Sequence, residues 1–367
     1  MVSINQITII GLGLIGGSLA LALKKNNPSI KIIGIDVCQE NLKIAIERNA
    51  IDKGTIDAKE GVINSDIVFL ATPISSMFEV AQEISPYLKN NCIISDVGSC
   101  KVEVIRLLGN ILPPSCHFIG GHPMAGSEQA GMIHADSYLF QNAVYVLTPQ
   151  KNINEEAVEL LQQIIQTTGA NVIKIDPYRH DLIVAAVSHL PHLVAINLVN
   201  TVGEFAEQDN LTLALAAGGF RDTTRIAMGN ETIWADIFRA NMPMLLQVFD
   251  SFKNNLLMFE SLILKAKHEE LKKLILKSKL LRQKIPLKPK GLLPMINELT
   301  LTVPDEPGII AKIATILSEE NINIIDIEIL RVREREEGAI RVGLKSKEDL
   351  DSAISLLRKN NFEVKRR

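Results

Sequence analysis

Short apolar runs rich in β-branched residues alternate with longer segments of helical spacing over residues 2–150. The runs fall at 6–10, 31–36, 67–71, 92–96, 117–121 and 143–147. This recurrence predicts βαβ units and a mostly parallel sheet, whose strands read as nearly continuous apolar runs because helices cover both faces. From about 154 to 284 the strand signal nearly vanishes, apart from a short run at 172–175. Apolar positions there recur three and four apart, as at Leu193, Ile196 and Val199 and again at Leu245, Val248 and Phe252, which predicts an all-α block. Several of these helices are too apolar for a lone surface helix, so contact with a second subunit, a homodimer, is expected. Residues 297–367 read strand, helix, strand, strand, helix, strand, a ferredoxin-like βαββαβ order.

The expected organisation is therefore a Rossmann-type α/β domain over 1–150 and an all-α substrate and dimerisation domain over 151–285. A linker at 286–296, marked by Pro286, Pro289, Gly291 and Pro294, leads to a ferredoxin-like domain over 297–367. No internal repeat or low-complexity segment is visible.

Composition narrows the class. The chain has 367 residues, of which 47% are apolar and 22% charged, which excludes a disordered or fibrous chain and calls for more than one core. Thirty-nine basic against 42 acidic residues leave a net charge of −3, with no basic field to attract nucleic acid. The lysine-rich stretch 265–290 reads as a solvated helix face, with a nucleic-acid or membrane patch as the alternative. The most apolar long stretch, 182–202, is broken by His189, Pro191, His192 and Asn197 and makes a poor membrane span. Cys38, Cys92, Cys100 and Cys116 are spaced for neither a disulfide framework nor a zinc site, and no metal is expected. With no charged-then-apolar leader, the chain reads as cytoplasmic.

The first candidate chemistry follows the first strand. Gly11, Gly13 and Gly16, with Leu14 and Ile15 between the last two, form a GxGxxG turn that opens a helix expected at 17–25. Gly11 permits the tight turn, Gly13 lets backbone approach a pyrophosphate, and Gly16 lets helix and strand pack closely. The pyrophosphate would sit on the helix N-terminus, where unpaired N–H groups favour an anion. Asp36, closing the second strand, suits the ribose hydroxyls. A 2′-phosphate would face its carboxylate, and no arginine follows, so NAD is expected over NADP. Thr72 and Pro73 after one strand, and Gly98 and Ser99 after another, end at the same crevice and suit the nicotinamide half. Thr72 and Ser99 could equally be helix N-caps.

Three further segments carry polar function. Gly120 to Glu128 contains His122, which leaves the carboxyl edge of the sheet and is a candidate acid–base group near neutral pH. Ser188 to His192 places His189 and His192 three apart in an apolar helix, one of them reading as a satisfied core histidine. Phe220 to Arg225 carries two arginines that could clamp carboxylates, or could simply pair with Asp222. Together they suggest hydride transfer to NAD from a small acidic substrate.

On these motifs the chain resembles the prephenate dehydrogenases of tyrosine biosynthesis, and its tail resembles an ACT domain. The resemblance rests on the glycine turn, Asp96-Val97-Gly98-Ser99-Cys100-Lys101, the Gly-Gly-His-Pro-Met-Ala-Gly-Ser-Glu loop, Ser-His-Leu-Pro-His and Phe-Arg-Asp-Thr-Thr-Arg. It implies NAD-dependent oxidative decarboxylation of prephenate to 4-hydroxyphenylpyruvate and CO2. It also implies that His122 is catalytic with Ser99 in support, and that Arg225 and His192 contact substrate. Ser127 and Glu128 would lie at the substrate's side chain. Asp222 and Trp234 would shape the entrance, Trp234 from the neighbouring subunit or else as plain core. The tail implies tyrosine as an effector near Asp305, Pro307 and Gly308, with a purely dimerising module as the alternative. Arogenate dehydrogenase is the nearest rival, and a non-catalytic NAD-sensing regulator the more distant one.

Overall fold

The computed structural model describes residues 4–126, 129–285, 297–304, 306–330 and 337–366. The chain forms two compact units that divide near residue 291.

The larger unit is built on an eight-stranded sheet: β1 (Gln6–Ile10), β2 (Lys31–Ile35), β3 (Lys53–Thr55), β4 (Ile67–Leu70), β5 (Ile93–Asp96), β6 (His117–Pro123), β7 (Val144–Thr148) and β8 (Asn171–Lys174). Their spatial order is β3-β2-β1-β4-β5-β6-β7-β8. The side-chain period of two divides the central strands between two cores. Ile7, Ile9, Ile67, Phe69 and Ile93 face one side, and Ile10, Ile35, Val68, Leu70 and Ile94 the other. The order reverses between β2-β1 and β4, which opens a crevice at the carboxyl ends of these strands.

One expectation changes here. The sheet does not end near residue 150: the run at 172–175, assigned above to the helical block, is β8, parallel to β7. The helix Glu155–Gln166 between them buries Ala157, Val158, Leu161, Ile164 and Ile165 in the first core, so it belongs to this layer. The sheet is otherwise mostly parallel, as expected, with the one antiparallel pairing between β6 and β7.

Beyond β8 the unit is helical. One continuous helix, Pro177–Ala206, is long and apolar enough to cross a membrane by length and composition. Yet it carries His180, Asp181, His189 and His192, each 1–2% exposed and packed within the protein. A π turn at Ala185–His189 interrupts it, a distortion often found at functional sites. The helices Met242–Leu264 and His268–Lys284 follow. The latter buries none of its residues within this unit.

The smaller unit has the βαββαβ order. Strands β9 (Asn297–Pro304), β10 (Ile324–Leu330), β11 (Glu337–Leu344) and β12 (Glu363–Arg366) lie in the order β10-β11-β9-β12. Alternate residues Leu299, Leu301 and Val303 of β9 pack with Ile313 and Leu317 of one helix and Leu350 and Leu357 of the other. The unit therefore has its own core.

Candidate active site

The glycine turn has the expected geometry. Gly11 has φ +93°, and a Cβ there would stand 2.6 Å from the Ala71 carbonyl oxygen. A Cβ on Gly16 would stand 1.9 Å from the Gly11 carbonyl oxygen, so both positions exclude a side chain. Gly13 differs, because its Cβ would meet nothing within 4 Å. It opens the helix Leu14–Asn26, which starts three residues earlier than expected and has no side-chain cap. Leu14 and Ile15 fill its first turn, whose free N–H groups face an open cradle suited to a diphosphate. Gly126, in the loop after β6, approaches the Ile15 side chain.

Asp36 is preorganised. One of its carboxylate oxygens accepts from Leu12 N–H at 2.7 Å and Asn41 Nδ2 at 3.2 Å, the other from Cys38 N–H at 2.8 Å. Three of roughly four acceptor sites are used, which leaves room for a ribose hydroxyl. At the next strand end the Thr72 hydroxyl is buried without a partner, a polar atom that a bound amide or hydroxyl would satisfy. Neither Thr72 nor Ser99 is a helix cap. Pro73 occupies the N-cap of Ile74–Ile84, and Lys101 that of Val102–Leu108. The residues present thus fit a dinucleotide with an unphosphorylated ribose.

His122 lies inside β6 rather than in the loop after it, paired with Val146 of β7. Because β6 is parallel to β5, the ring emerges at the same carboxyl edge as Gly11, Thr72 and Ser99. Its Nδ1 is 2.8 Å from His180 Nε2, and His180 Nδ1 is 2.7 Å from Asp181 Oδ1. Asp181 also accepts from the backbone N–H groups of Lys101 and Val102, each at 2.8 Å. The carboxylate can only accept, so His180 donates through Nδ1, and its Nε2 accepts from His122 Nδ1–H. That order leaves the His122 Nε2 lone pair free, and no described residue bonds it. Burial, then the Lys101 ammonium, then His180 and His189, hold the His122 imidazole well below its usual 6.5. It is a neutral base at neutral pH.

The sequence did not single out His180 or Asp181, and it showed Asp96 and Lys101 only as the ends of a motif, with no role assigned to either. Asp96 and Lys101 form an ion pair, both side chains 0% exposed. Asp96 also accepts from Gly98 N–H at 2.9 Å and Gly121 N–H at 3.2 Å, and Lys101 Nζ donates to the Gly121 carbonyl at 2.5 Å. A charged pair closing an otherwise apolar strand and its loop was the available signal.

The histidines of the long helix divide as the alternatives allowed. His189 is the satisfied one: its Nδ1 is 3.1 Å from the Asn241 side-chain amide, and burial pushes it down to about 4. His192 is buried with both ring nitrogens unpartnered. It stacks on Trp234 of the same chain, with ring centres 3.5 Å apart and planes within 8°. Trp234 thus packs on a ring of its own chain. Gly229 packs against both rings, and the preceding 3-10 turn, Arg225–Met228, carries Arg225. Arg225 and Asp222 are exposed, and neither makes an ion pair among the described residues, so the internal pairing does not form. Ser127 and Glu128 lie outside the described residues, as do Asp305 and the linker 286–296. Gly308 has φ +93° and caps the helix Ile309–Glu319, with Pro307 just before it.

Comparison with known proteins matches this arrangement part by part. Residues 19–174 match the prephenate dehydrogenase nucleotide-binding domain, 176–277 the prephenate dehydrogenase dimerization domain, and 298–362 the ACT domain. The chain is 37% identical to a prephenate dehydrogenase of Bacillus subtilis over 94% of its own length and 93% of that protein's. The structure of Aquifex aeolicus prephenate dehydrogenase, in complex with hydroxyphenyl propionate and NAD+, superposes with a TM-score of 0.73 at 31% identity. It covers 78% of this chain and 99% of that one. Synechocystis arogenate dehydrogenase superposes with a TM-score of 0.68 at 31% identity, covering 76% and 99%. The chain belongs to the prephenate dehydrogenase family and is an NAD-dependent dehydrogenase.

Proposed function

We propose that the protein converts prephenate to 4-hydroxyphenylpyruvate and CO2, with His122 as the catalytic base. The observation that carries this reading is the neutral imidazole at the carboxyl edge of the dinucleotide sheet, with Nδ1 committed to His180 and Nε2 open. Bound NAD supplies the hydride acceptor. Gly11, Gly13, Leu14, Ile15 and Gly16 cradle its diphosphate and Asp36 takes the adenosine ribose. Thr72, Pro73 and Gly98 line the nicotinamide half.

His122 Nε2 takes the proton of the ring hydroxyl as the carbinol carbon is oxidised, with the Ser99 hydroxyl steadying that oxygen. Loss of the ring carboxylate then aromatises the ring, and His122 returns the proton to the phenolic oxygen. The products balance with no proton released, so His122 needs only to hold a proton briefly. His180 and Asp181 serve that need by stabilising the imidazolium. Arg225 and the unpartnered nitrogens of His192 bind the acidic substrate, Trp234 and Asp222 border the entrance, and Ser127 and Glu128 are assigned to its side-chain end. Initial rates of NADH formation with prephenate and with arogenate test the assignment. A kcat/KM at least about ten-fold higher for arogenate would reassign the substrate, and no turnover of either would reject the reading.

The protein acts as a cytoplasmic homodimer, and the ACT unit carries feedback by tyrosine at Asp305, Pro307 and Gly308. Its separate core supports a module that can report an effector. Tyrosine titrated against the full chain and against a chain truncated near Leu293 tests this. Inhibition confined to the full chain is expected, and equal inhibition of both would place the tyrosine site elsewhere.

A further inference from the structure

The hydrogen bonds around His122 close into a ring through one residue outside the substrate's reach. From His122 Nδ1 they run to His180 Nε2 at 2.8 Å, from His180 Nδ1 to Asp181 at 2.7 Å, and from Asp181 to the Lys101 backbone N–H at 2.8 Å. The Lys101 side chain then returns to the Gly121 carbonyl at 2.5 Å, and Gly121 is bonded covalently to His122. Asp96 balances the ammonium and holds the N–H groups of Gly98 and Gly121. The ion pair also crowds two glycines: a Cβ on Gly98 would stand 3.0 Å from Asp96 Oδ2, and one on Gly120 3.1 Å from Lys101 Cδ as well as 2.5 Å from Thr148 Oγ1.

We propose that Lys101 is a positioning residue for the catalytic base, fixing both the strand that carries His122 and the far end of its hydrogen-bond chain to a single point. Burial of both charges is costly, and a pair replaced by apolar residues is often no less stable, so stability alone does not account for a fully buried lysine here. Its ammonium also opposes a positive charge on the imidazole. The other titratable groups around His122 are Asp96 from β5, which accepts from the N–H of Gly121, and His180, Asp181 and His189 from the long helix.

The proposal rests on His122 being the base, and its test separates the two. The variants are Lys101→Met and the neutral double variant Asp96→Asn/Lys101→Met, the second avoiding an unpaired buried carboxylate. In NAD-loaded protein labelled with 15N-histidine, His122 should titrate about 0.5–1 pH unit higher in Lys101→Met than in the parent chain, and by less in the double variant, which loses the opposing Asp96 carboxylate as well. The parent spectrum should show a single Nδ1–H tautomer, and the variants a mixture. With prephenate, kcat should fall about ten- to hundred-fold with KM within about three-fold. An unchanged His122 titration and tautomer overturns the proposal whatever happens to kcat. So does an altered titration with full kcat in a chain that turns prephenate over. A parent chain inactive on prephenate and arogenate would instead reject the substrate assignment, leaving the spectra to decide the role of Lys101.

Discussion

His180 Nε2 lies 2.8 Å from His122 Nδ1, and this contact determines which nitrogen of His122 is free to react. Because Asp181 accepts from the other nitrogen of His180, proton positions along the chain are fixed from the carboxylate outward. Asp181→Asn replaces that acceptor by an amide that can donate, and it also disturbs the start of the helix Val102–Leu108. We expect kcat to fall by roughly 10–10³ with little change in KM for NAD. A kcat within two-fold of the parent would remove Asp181 from the account.

The buried histidines make stability pH-dependent, with a definite sign. Burial lowers His122 and takes His189 down to about 4, below the ordinary 6.5. A group depressed in the folded state binds its proton more readily when unfolded, so its contribution is complete above pH 6.5 and lost as pH falls. For His189 alone the loss between pH 6.5 and 4 is about 3 kcal/mol. Melting temperature measured across this window should fall steeply, and His189→Gln should flatten the slope. A flat parent curve would contradict the burial argument.

Two glycines of the phosphate turn should separate cleanly. Gly16→Ala places a Cβ 1.9 Å from the Gly11 carbonyl oxygen and should lower the melting temperature by ~5 °C or more. Gly13→Ala meets open space and should keep the parent melting temperature within about 2 °C while weakening NAD binding ten-fold or more. Calorimetric titration of NAD checks the pair, and unweakened binding in Gly13→Ala would move the diphosphate off this turn.

Arg225 and His192 should act on binding before chemistry. Arg225→Ala removes an exposed cation that pairs with none of the described residues, so the fold should be unaffected and KM for prephenate should rise by roughly ten- to hundred-fold. Steady-state kinetics at saturating NAD decides, and an unchanged KM would mean the carboxylate is held elsewhere.

The parts of this fold that the sequence discloses are those with a local signature. Ile67–Leu70 and Ile93–Asp96 show as apolar runs because both faces are buried, and Gly11 and Gly16 show because close packing there admits no side chain. β3, Lys53–Thr55, contains no apolar residue and leaves no pattern. β8 is visible as a run, but its partner is not, since pairing across the helix Glu155–Gln166 is not a local property. His192 and Trp234 are separated by 41 intervening positions, and only the fold makes them a stack. His180 and Asp181 look like the polar first turn of an apolar helix. Their role appears only once that helix is laid against β6 and the start of Val102–Leu108.

Proton transfer from the substrate's hydroxyl to a neutral imidazole at position 122, as proposed above, is decided by the pH–rate profile of His122→Asn. The parent should show kcat declining on the acidic side below the ordinary histidine range. The variant should keep KM within a few-fold, lose about 10²–10⁴ in kcat and show no acidic limb. Near-parental kcat with the acidic limb intact would contradict the account.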